Sequence, residues 1–193
     1  MRSERRAVAA EILAASRAHD AAQADRLARF RSVEPETAEL LGILIRAAAA
    51  TRILELGTSN GYSTLWLADA AEATGGAVTS VEIDPQRTRM AAAHLERAGL
   101  RADLRTDDAG AVLHASADGA WDFIFLDAER PAYAGYWPDL LRSLRPGGLL
   151  AIDNVISHAG EVAAVTELIE AEPAVMTSLV PIGAGLRLVI RSD

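Results

Sequence analysis

Short apolar segments alternate with helix-like segments from Arg52 to the end of the chain. The strand-like segments are 52–56, 78–83, 102–105, 121–126, 149–152, 175–180 and 186–190. Strands that alternate with helices are typical of a parallel sheet whose crossover helices cover both faces. The last two strands are separated only by a short Gly-rich connection, so they must be antiparallel. The sequence therefore predicts an α/β fold with a seven-stranded, mostly parallel sheet and one reversed strand near the C-terminus.

The first 48 residues have a helical pattern instead. Apolar residues recur at helical spacing from Arg5 to Phe30 with no Gly or Pro between them, which predicts one or two helices. Pro35 suits the first position of a further helix that runs through Ile45. We therefore expect one domain over residues 1–193, with an N-terminal helical segment at 1–48 and an α/β core at 49–193.

Composition excludes several kinds of chemistry. Half of the 193 residues are hydrophobic and the formal net charge is −8. There is no basic stripe to follow a phosphate backbone, which argues against nucleic acid as a partner. The chain contains neither Cys nor Lys, so it has no disulfide, thiolate or lysine chemistry. The apolar N-terminal patch is short and is interrupted by Glu11, so we expect a cytoplasmic protein with no membrane span.

The first two predicted strands end in residues that suit a nucleotide-like ligand. The first strand contains Glu55 and ends in the turn Gly57-Thr58-Ser59-Asn60-Gly61, and the second ends at Glu82. A carboxylate in the position of Glu82 can accept both hydroxyls of a ribose. The charge of Glu55 would repel a pyrophosphate and attract a cationic aminoacyl group. The pattern thus favours S-adenosylmethionine over a nicotinamide dinucleotide, with an ordinary strand-to-helix turn as the structural alternative.

Three side chains with oxygen donors follow the fourth and fifth strands. Asp127 comes after the fourth strand, and Asp153 and Asn154 come after the fifth. Two carboxylates and an amide suit a hard divalent cation, with Mg²⁺ preferred and Mn²⁺ or Ca²⁺ as alternatives. The competing interpretation is that both aspartates only cap the helices that follow them.

Five short motifs carry a family resemblance. They are 54–63 (Leu-Glu-Leu-Gly-Thr-Ser-Asn-Gly-Tyr-Ser), 81–84 (Val-Glu-Ile-Asp), 125–128 (Phe-Leu-Asp-Ala), 152–155 (Ile-Asp-Asn-Val) and 181–186 (Pro-Ile-Gly-Ala-Gly-Leu). In order and spacing they resemble those of the cation-dependent O-methyltransferases, which include catechol O-methyltransferase, the caffeoyl-CoA O-methyltransferase group and its small bacterial members. The resemblance extends from about Val33 to the C-terminus and implies a Rossmann-like class I methyltransferase fold.

The resemblance also implies roles for individual residues. It places the methionine part of S-adenosylmethionine at Glu55, Gly57, Thr58 and Ser63, its ribose at Glu82, its adenine at Asp108 and Ala109, and further cofactor contacts at Val33 and Asp127. It assigns the divalent cation to Asp127, Asp153 and Asn154, so Asp127 would touch both ligands. A homodimer is a further implication of the resemblance.

The chain departs from the family at Arg130. The family commonly has a lysine there, as a general base toward the substrate hydroxyl, whereas an arginine keeps its proton. Arg130 can instead stabilise an oxyanion or bind a carboxylate. His158, four residues after Asn154, can accept a proton near neutral pH, although a loop histidine without a role is the other interpretation. The shorter loop after Asn154 implies a shallower acceptor pocket than in relatives.

These observations predict a divalent-cation-dependent O-methyltransferase that acts on a hydroxyl of a small catechol-like or vicinal-dihydroxy aromatic. Its predicted catalytic residues are Asp127, Arg130 and His158. One alternative is methylation of hydroxyuridine in transfer RNA, against which the negative charge argues. Another is a protein that binds S-adenosylmethionine or S-adenosylhomocysteine without turnover, which the absence of the lysine keeps open. A dehydrogenase is a more distant alternative.

Overall fold

The computed structural model describes residues 1–192, which form a seven-stranded sheet with helices on both faces. The strands are β1 Arg52–Leu56, β2 Ala77–Glu82, β3 Asp103–Thr106, β4 Trp121–Leu126, β5 Leu144–Ile152, β6 Val175–Val180 and β7 Leu186–Arg191. The helices are α1 Ser3–Ala22, α2 Pro35–Ala47, α3 Tyr62–Thr74, α4 Pro85–Arg97, α5 Ala109–Ala115, α6 Tyr133–Ser143 and α7 Ala163–Ala171. No helix among residues 1–192 has both the length and the apolar character needed to cross a bilayer.

The strand order is β3-β2-β1-β4-β5-β7-β6. Strands β1 to β5 pair in parallel, whereas β7 pairs antiparallel with both of its neighbours, β5 and β6. The prediction of a mostly parallel sheet with one reversed strand is therefore confirmed. The order reverses direction between β1 and β4, which makes their carboxyl ends the switch point where ligands bind in such sheets.

Alternating side chains of the central strands fill two separate cores. Ile53 and Phe123 belong to the core under α1 to α4, whereas Leu54 and Ile124 belong to the core under α5 to α7. Glu55 shares the face of Ile53, because residues two apart in a strand point the same way. This alternation brings the Glu55 carboxylate under α3.

The N-terminal segment is a single long helix followed by an irregular stretch. Helix α1 ends at Ala22, and the chain then continues through a short 3-10 turn at Arg26–Ala28 to α2, which begins at Pro35 as predicted. The Asp20 carboxylate accepts the backbone N–H groups of Phe30 and Arg31 at 2.7 and 2.9 Å, which folds this stretch back toward the end of α1.

The fifth strand begins earlier than the sequence predicts. Its predicted range is 149–152, but β5 starts at Leu144, which pairs with Trp121. The register shifts between Trp121 and Phe123, and Gly147 has a φ of +69°, so residues 145–148 form an irregularity inside the strand.

The first strand and the fourth approach each other closely where β1 ends. Gly57 has a φ of +104°, and a Cβ added there would lie 2.1 Å from the backbone oxygen of Asp127. Only glycine therefore fits between the two strand ends.

We expect Gly57→Ala to destabilise the fold much more than Gly75→Ala. Gly75 also has a positive φ, +70°, but a Cβ there would have no neighbour within 4 Å, so it controls for the cost of the backbone conformation. The clash should cost Gly57→Ala at least about 2 kcal/mol more in unfolding free energy, measured by urea denaturation. Equal losses in the two variants would contradict the close approach.

Candidate active site

A cavity of about 570 Å³ lies at the carboxyl edge of the sheet, beneath the irregular segment between α1 and α2. Its volume is in the range of small-molecule sites. The predicted site residues on its wall are Val33, Gly57, Glu82, Ala109, Asp127, Arg130, Asp153, Asn154 and His158. The structure thus brings together residues that the sequence separates by more than 120 positions.

The loop after β1 orients the carboxylate of Glu82. The backbone N–H of Ser59 donates to Glu82 Oε2 at 2.8 Å, and the N–H of Asp84 donates to Oε1 at 3.0 Å. Ser59 adopts the left-handed conformation, with a φ of +49°, which turns its N–H toward that oxygen. Each carboxylate oxygen retains a lone pair, so Glu82 can accept two further hydrogen bonds from a ligand.

Glu55 lies behind the cavity wall rather than on it. It is fully buried, and its two oxygens accept hydrogen bonds from the hydroxyls of Ser63, Thr64 and Ser80. Burial raises the pKa of Glu55 to about 7, although these three hydrogen bonds oppose the rise. The predicted contact between Glu55 and a ligand is therefore not direct in this arrangement.

Three other predicted cofactor residues also lie off the wall. The Thr58 hydroxyl bonds to that of Ser80 at 2.5 Å, and the Ser63 hydroxyl donates to Glu55. Asp108 caps α5, because its Oδ1 accepts the N–H of Ala111 at 2.8 Å. These side chains support the loops around the cavity while their neighbours Gly57 and Ala109 face it.

Asp127, Asp153 and Asn154 meet where β4 and β5 end. The Asn154 Nδ2 donates to Asp127 Oδ1 at 2.9 Å and to Asp153 Oδ2 at 3.2 Å, and its φ of +68° places it between them. The surrounding protein and the charge of Asp153 hold the pKa of Asp127 well above its usual range, and burial also raises that of Asp153. Neither aspartate caps the helix that follows it. The short 3-10 helix Arg130–Ala132 after Asp127 has Glu129 as its N-cap, and α7 after Asp153 has Val162.

This cluster fits a divalent cation. Asp153 Oδ1 is buried without a hydrogen-bond partner, and a cation would relieve both that deficit and the repulsion between the two carboxylates. Asn154 would contribute its amide oxygen after its side-chain amide turns over, because Nδ2 is the atom that faces both carboxylates here. Within residues 1–192 no group of three or more His, Cys, Asp or Glu side chains is arranged to hold a metal. The present cluster has only two such side chains, and its third donor is the amide of Asn154.

Arg130 and His158 both line the cavity. Arg130 is buried, with its Nε donating to Glu161 Oε2 at 2.9 Å and its Nη2 without a partner. His158 is half-buried, and its Nδ1 lies 2.8 Å from the Ser157 hydroxyl. Both predicted catalytic residues thus line the same cavity as Asp153 and Asn154, and the backbone N–H of His158 donates to the carbonyl of Asn154 at 3.0 Å.

The segment that covers the cavity is held by side chains to which no periodic pattern in the sequence points. Ser59 Oγ donates to the carbonyl of Phe30 at 2.8 Å, and Arg87 Nη2 donates to the carbonyls of Leu27 and Arg29 at 2.6 and 3.0 Å. Arg31, with a φ of +54°, donates from Nη2 to Glu129 Oε1 at 2.7 Å. The only signal in the sequence is the clustering of arginines between residues 26 and 31.

The pKa of Glu55 predicts how stability depends on pH. Because this pKa is raised from 4.5 to about 7, protonation favours the folded state. That stabilisation is fully present below pH 4.5 and is lost as the pH rises through 7. Between pH 4.5 and 8 the wild type should lose about 3 kcal/mol more unfolding free energy than Glu55→Gln, measured by denaturant titration. Parallel pH profiles of the two proteins would contradict the shift.

Comparison with known proteins identifies the family. A family model of O-methyltransferases matches residues 4–192. A catechol O-methyltransferase of Niastella koreensis is 40% identical over 130 residues, which are 65% of this chain and 58% of that protein. A catechol O-methyltransferase of Mycobacterium tuberculosis is 35% identical over 154 residues, 79% of this chain and 68% of that protein. The first of these matches therefore spans less than two thirds of the relative.

Solved structures agree with the sequence matches. The crystal structure of an O-methyltransferase from Bacillus cereus in complex with S-adenosylhomocysteine has a TM-score of 0.79 and 27% identity, covering 96% of this chain and 91% of that chain. The resemblance drawn from the motifs is thus confirmed. The chain belongs to the O-methyltransferase family, whose members transfer the methyl group of S-adenosylmethionine.

Proposed function

We propose that this chain transfers a methyl group from S-adenosylmethionine to a hydroxyl of a small catechol-like or vicinal-dihydroxy aromatic, with a divalent cation held by the protein. The observation that carries the proposal is that one cavity contains both the Glu82 carboxylate and the Asp127, Asp153 and Asn154 cluster. The relatives named catechol O-methyltransferase support the choice of acceptor.

The cofactor would lie between the ends of β1 and β2. Glu82, already oriented by two backbone N–H groups, would accept the ribose hydroxyls. Gly57 leaves room for the methionine part to approach the backbone, and Ala109 and the exposed Ile83 provide an apolar wall for the adenine. Glu55 lies behind this wall and would act on the cationic end of the cofactor only through the charge of its ionised form, which is favoured above a pKa of about 7.

The acceptor would lie on the Asp153 side of the cavity. Asp127, Asp153 and Asn154 would hold the cation, and such a cation when bound lowers the pKa of an acceptor hydroxyl. Arg130 cannot remove a proton, but its guanidinium can stabilise negative charge that develops on the acceptor. His158, at the cavity edge, would take the hydroxyl proton and pass it to solvent.

Cofactor binding can be tested separately from turnover. Glu82→Gln should weaken S-adenosylhomocysteine binding by roughly 10- to 100-fold, because it removes a charged acceptor of the ribose hydroxyls. The matched control Glu170→Gln replaces an exposed glutamate away from the cavity and should leave the affinity unchanged. Isothermal titration calorimetry measures both variants. An unchanged affinity in Glu82→Gln would contradict the assignment of the ribose.

The cation site is tested by methyl transfer to catechol. S-adenosylhomocysteine formation should require Mg²⁺, stop on addition of a chelator and resume when Mg²⁺ is restored. Asp153→Ala should lower kcat/KM by on the order of 100-fold or more, while the dissociation constant of S-adenosylhomocysteine changes by less than about threefold. Asp118→Ala, which removes an exposed carboxylate outside the cavity, is the matched control.

Three results would argue against this assignment. Turnover that is insensitive to the chelator would exclude the cation, and equal losses of turnover and cofactor affinity in Asp153→Ala would exclude the division of roles. Cofactor binding without methyl transfer to any catechol, with or without Mg²⁺, would instead favour a protein that binds S-adenosylmethionine without turnover.

A further inference from the structure

Ser59 has a backbone conformation that serine seldom adopts. Its φ of +49° lies in the left-handed region, where a side chain with a Cβ meets a steric cost that glycine avoids. The other two positive φ values in the turn 57–61 belong to Gly57 and Gly61. A serine at position 59 is therefore strained relative to glycine, and such strain persists where the side chain has a compensating contact.

The Ser59 hydroxyl connects this turn to the segment over the cavity. Ser59 Oγ donates to the carbonyl of Phe30 at 2.8 Å. Phe30 belongs to residues 23–34, the stretch between α1 and α2, which we call the cover because most of its residues line the cavity from Arg26 onward. The hydrogen bond joins residues 29 positions apart and so fixes where the cover lies relative to the turn.

The backbone of the same residue orients Glu82. The N–H of Ser59 donates to Glu82 Oε2 at 2.8 Å, and Glu82 is the proposed acceptor of the ribose hydroxyls. One residue thus contacts the cover through its side chain and the proposed ribose acceptor through its backbone. A ligand that holds Glu82 in place would also hold the Ser59 backbone in place, and with it the hydroxyl that contacts the cover.

Two other residues attach the cover to helices rather than to this turn. Asp20, near the end of α1, accepts the backbone N–H groups of Phe30 and Arg31, and Arg87 of α4 donates from Nη2 to the carbonyls of Leu27 and Arg29. The cover is therefore anchored to α1 and α4 independently of the turn, and Ser59 adds an attachment at the edge where the cofactor is proposed to lie.

We propose that Ser59 is a positioning residue for S-adenosylmethionine, whose hydroxyl holds the cover closed over the bound cofactor. Release of the cofactor would then require the Ser59 Oγ–Phe30 hydrogen bond to break. This inference rests on the proposed function, because it takes Glu82 as the ribose acceptor. The coupling is reciprocal: cofactor on Glu82 strengthens closure of the cover, and a closed cover slows cofactor release.

Ser59→Gly separates the hydroxyl from the backbone conformation. Glycine keeps the N–H that donates to Glu82 and adopts the positive φ without strain, but it lacks Oγ. The dissociation rate of S-adenosylhomocysteine, measured by surface plasmon resonance, should rise about 10-fold, because one hydrogen bond that closes the cover is lost. Ser59→Ala keeps the strain and also lacks Oγ, so the rate should rise by a similar factor.

Thr177→Val is the matched control. It removes a hydroxyl that donates to the Leu188 carbonyl at 3.0 Å in β6, outside the cavity, and should leave the dissociation rate unchanged. Thermal unfolding of each variant reports whether it is folded.

Trypsin digestion measures the opening of the cover directly. The chain has no lysine, and the cover contains cleavage sites after Arg26, Arg29 and Arg31. Saturating S-adenosylhomocysteine should slow cleavage at these sites in the wild type, because a closed segment is cut only when it opens. In Ser59→Gly with the same ligand, cleavage there should be several-fold faster, and mass spectrometry of the fragments identifies the sites.

Three outcomes would overturn the inference. The first is an unchanged dissociation rate in Ser59→Gly. The second is faster dissociation without faster cleavage of the cover, which would mean that the hydroxyl acts on the turn alone. The third is faster dissociation in Ser59→Ala but not in Ser59→Gly, which would assign the effect to backbone strain.

Failure of the proposed function gives a different result. If the wild type does not bind S-adenosylhomocysteine, or if Glu82→Gln binds it as tightly as the wild type, the cofactor assignment itself is wrong. If binding depends on Glu82 while the Ser59 variants behave as the wild type does, only this inference fails.

Discussion

The close contact between the ends of β1 and β4 organises the site. The backbone N–H of Asp127 donates to the carbonyl of Leu56 at 2.9 Å, and Gly57 lies directly against the backbone of Asp127. The loop proposed to bind the cofactor and the first aspartate of the cation cluster are therefore parts of one backbone junction. Methyl transfer needs donor and acceptor held at a fixed separation, and a junction built from backbone hydrogen bonds provides that rigidity.

Several carboxyl groups lie close together in the protein interior at this end of the sheet. Glu55 and Asp153 are buried, and the charges of Asp153 and Glu55 both raise the pKa of Asp127. Such a cluster is unfavourable for a protein without ligands, since each ionised carboxylate loses solvation and repels the others. A cation and a positively charged cofactor would relieve this repulsion, and under the proposed function their binding would therefore raise the stability of the fold.

The sequence predicted those parts of the site that follow from the order of strands. Asp127, Asp153 and Asn154 converge because parallel strands end at one edge, a rule that needs no knowledge of side-chain packing. The position of Glu55 behind the wall was not predicted, because it depends on hydroxyls of α3 and β2. The contacts that hold the cover over the cavity were not predicted either, since pairs such as Arg87 and Leu27 are 60 residues apart and follow no periodic pattern.

Arg130 stands where the family commonly has a lysine, and this difference changes which residue can take the proton from the acceptor hydroxyl. A lysine in such surroundings can exchange a proton, whereas a guanidinium remains a fixed positive charge with a planar set of donors. Under the proposed function, proton removal would then depend on the lowered pKa of the acceptor hydroxyl and on His158, and Arg130 would supply only a fixed positive charge. The hydrogen bond from Arg130 Nε to Glu161 Oε2 restrains the guanidinium at the cavity wall. On this proposal, the general base that the resemblance implies is replaced by a residue that can stabilise charge but cannot move a proton.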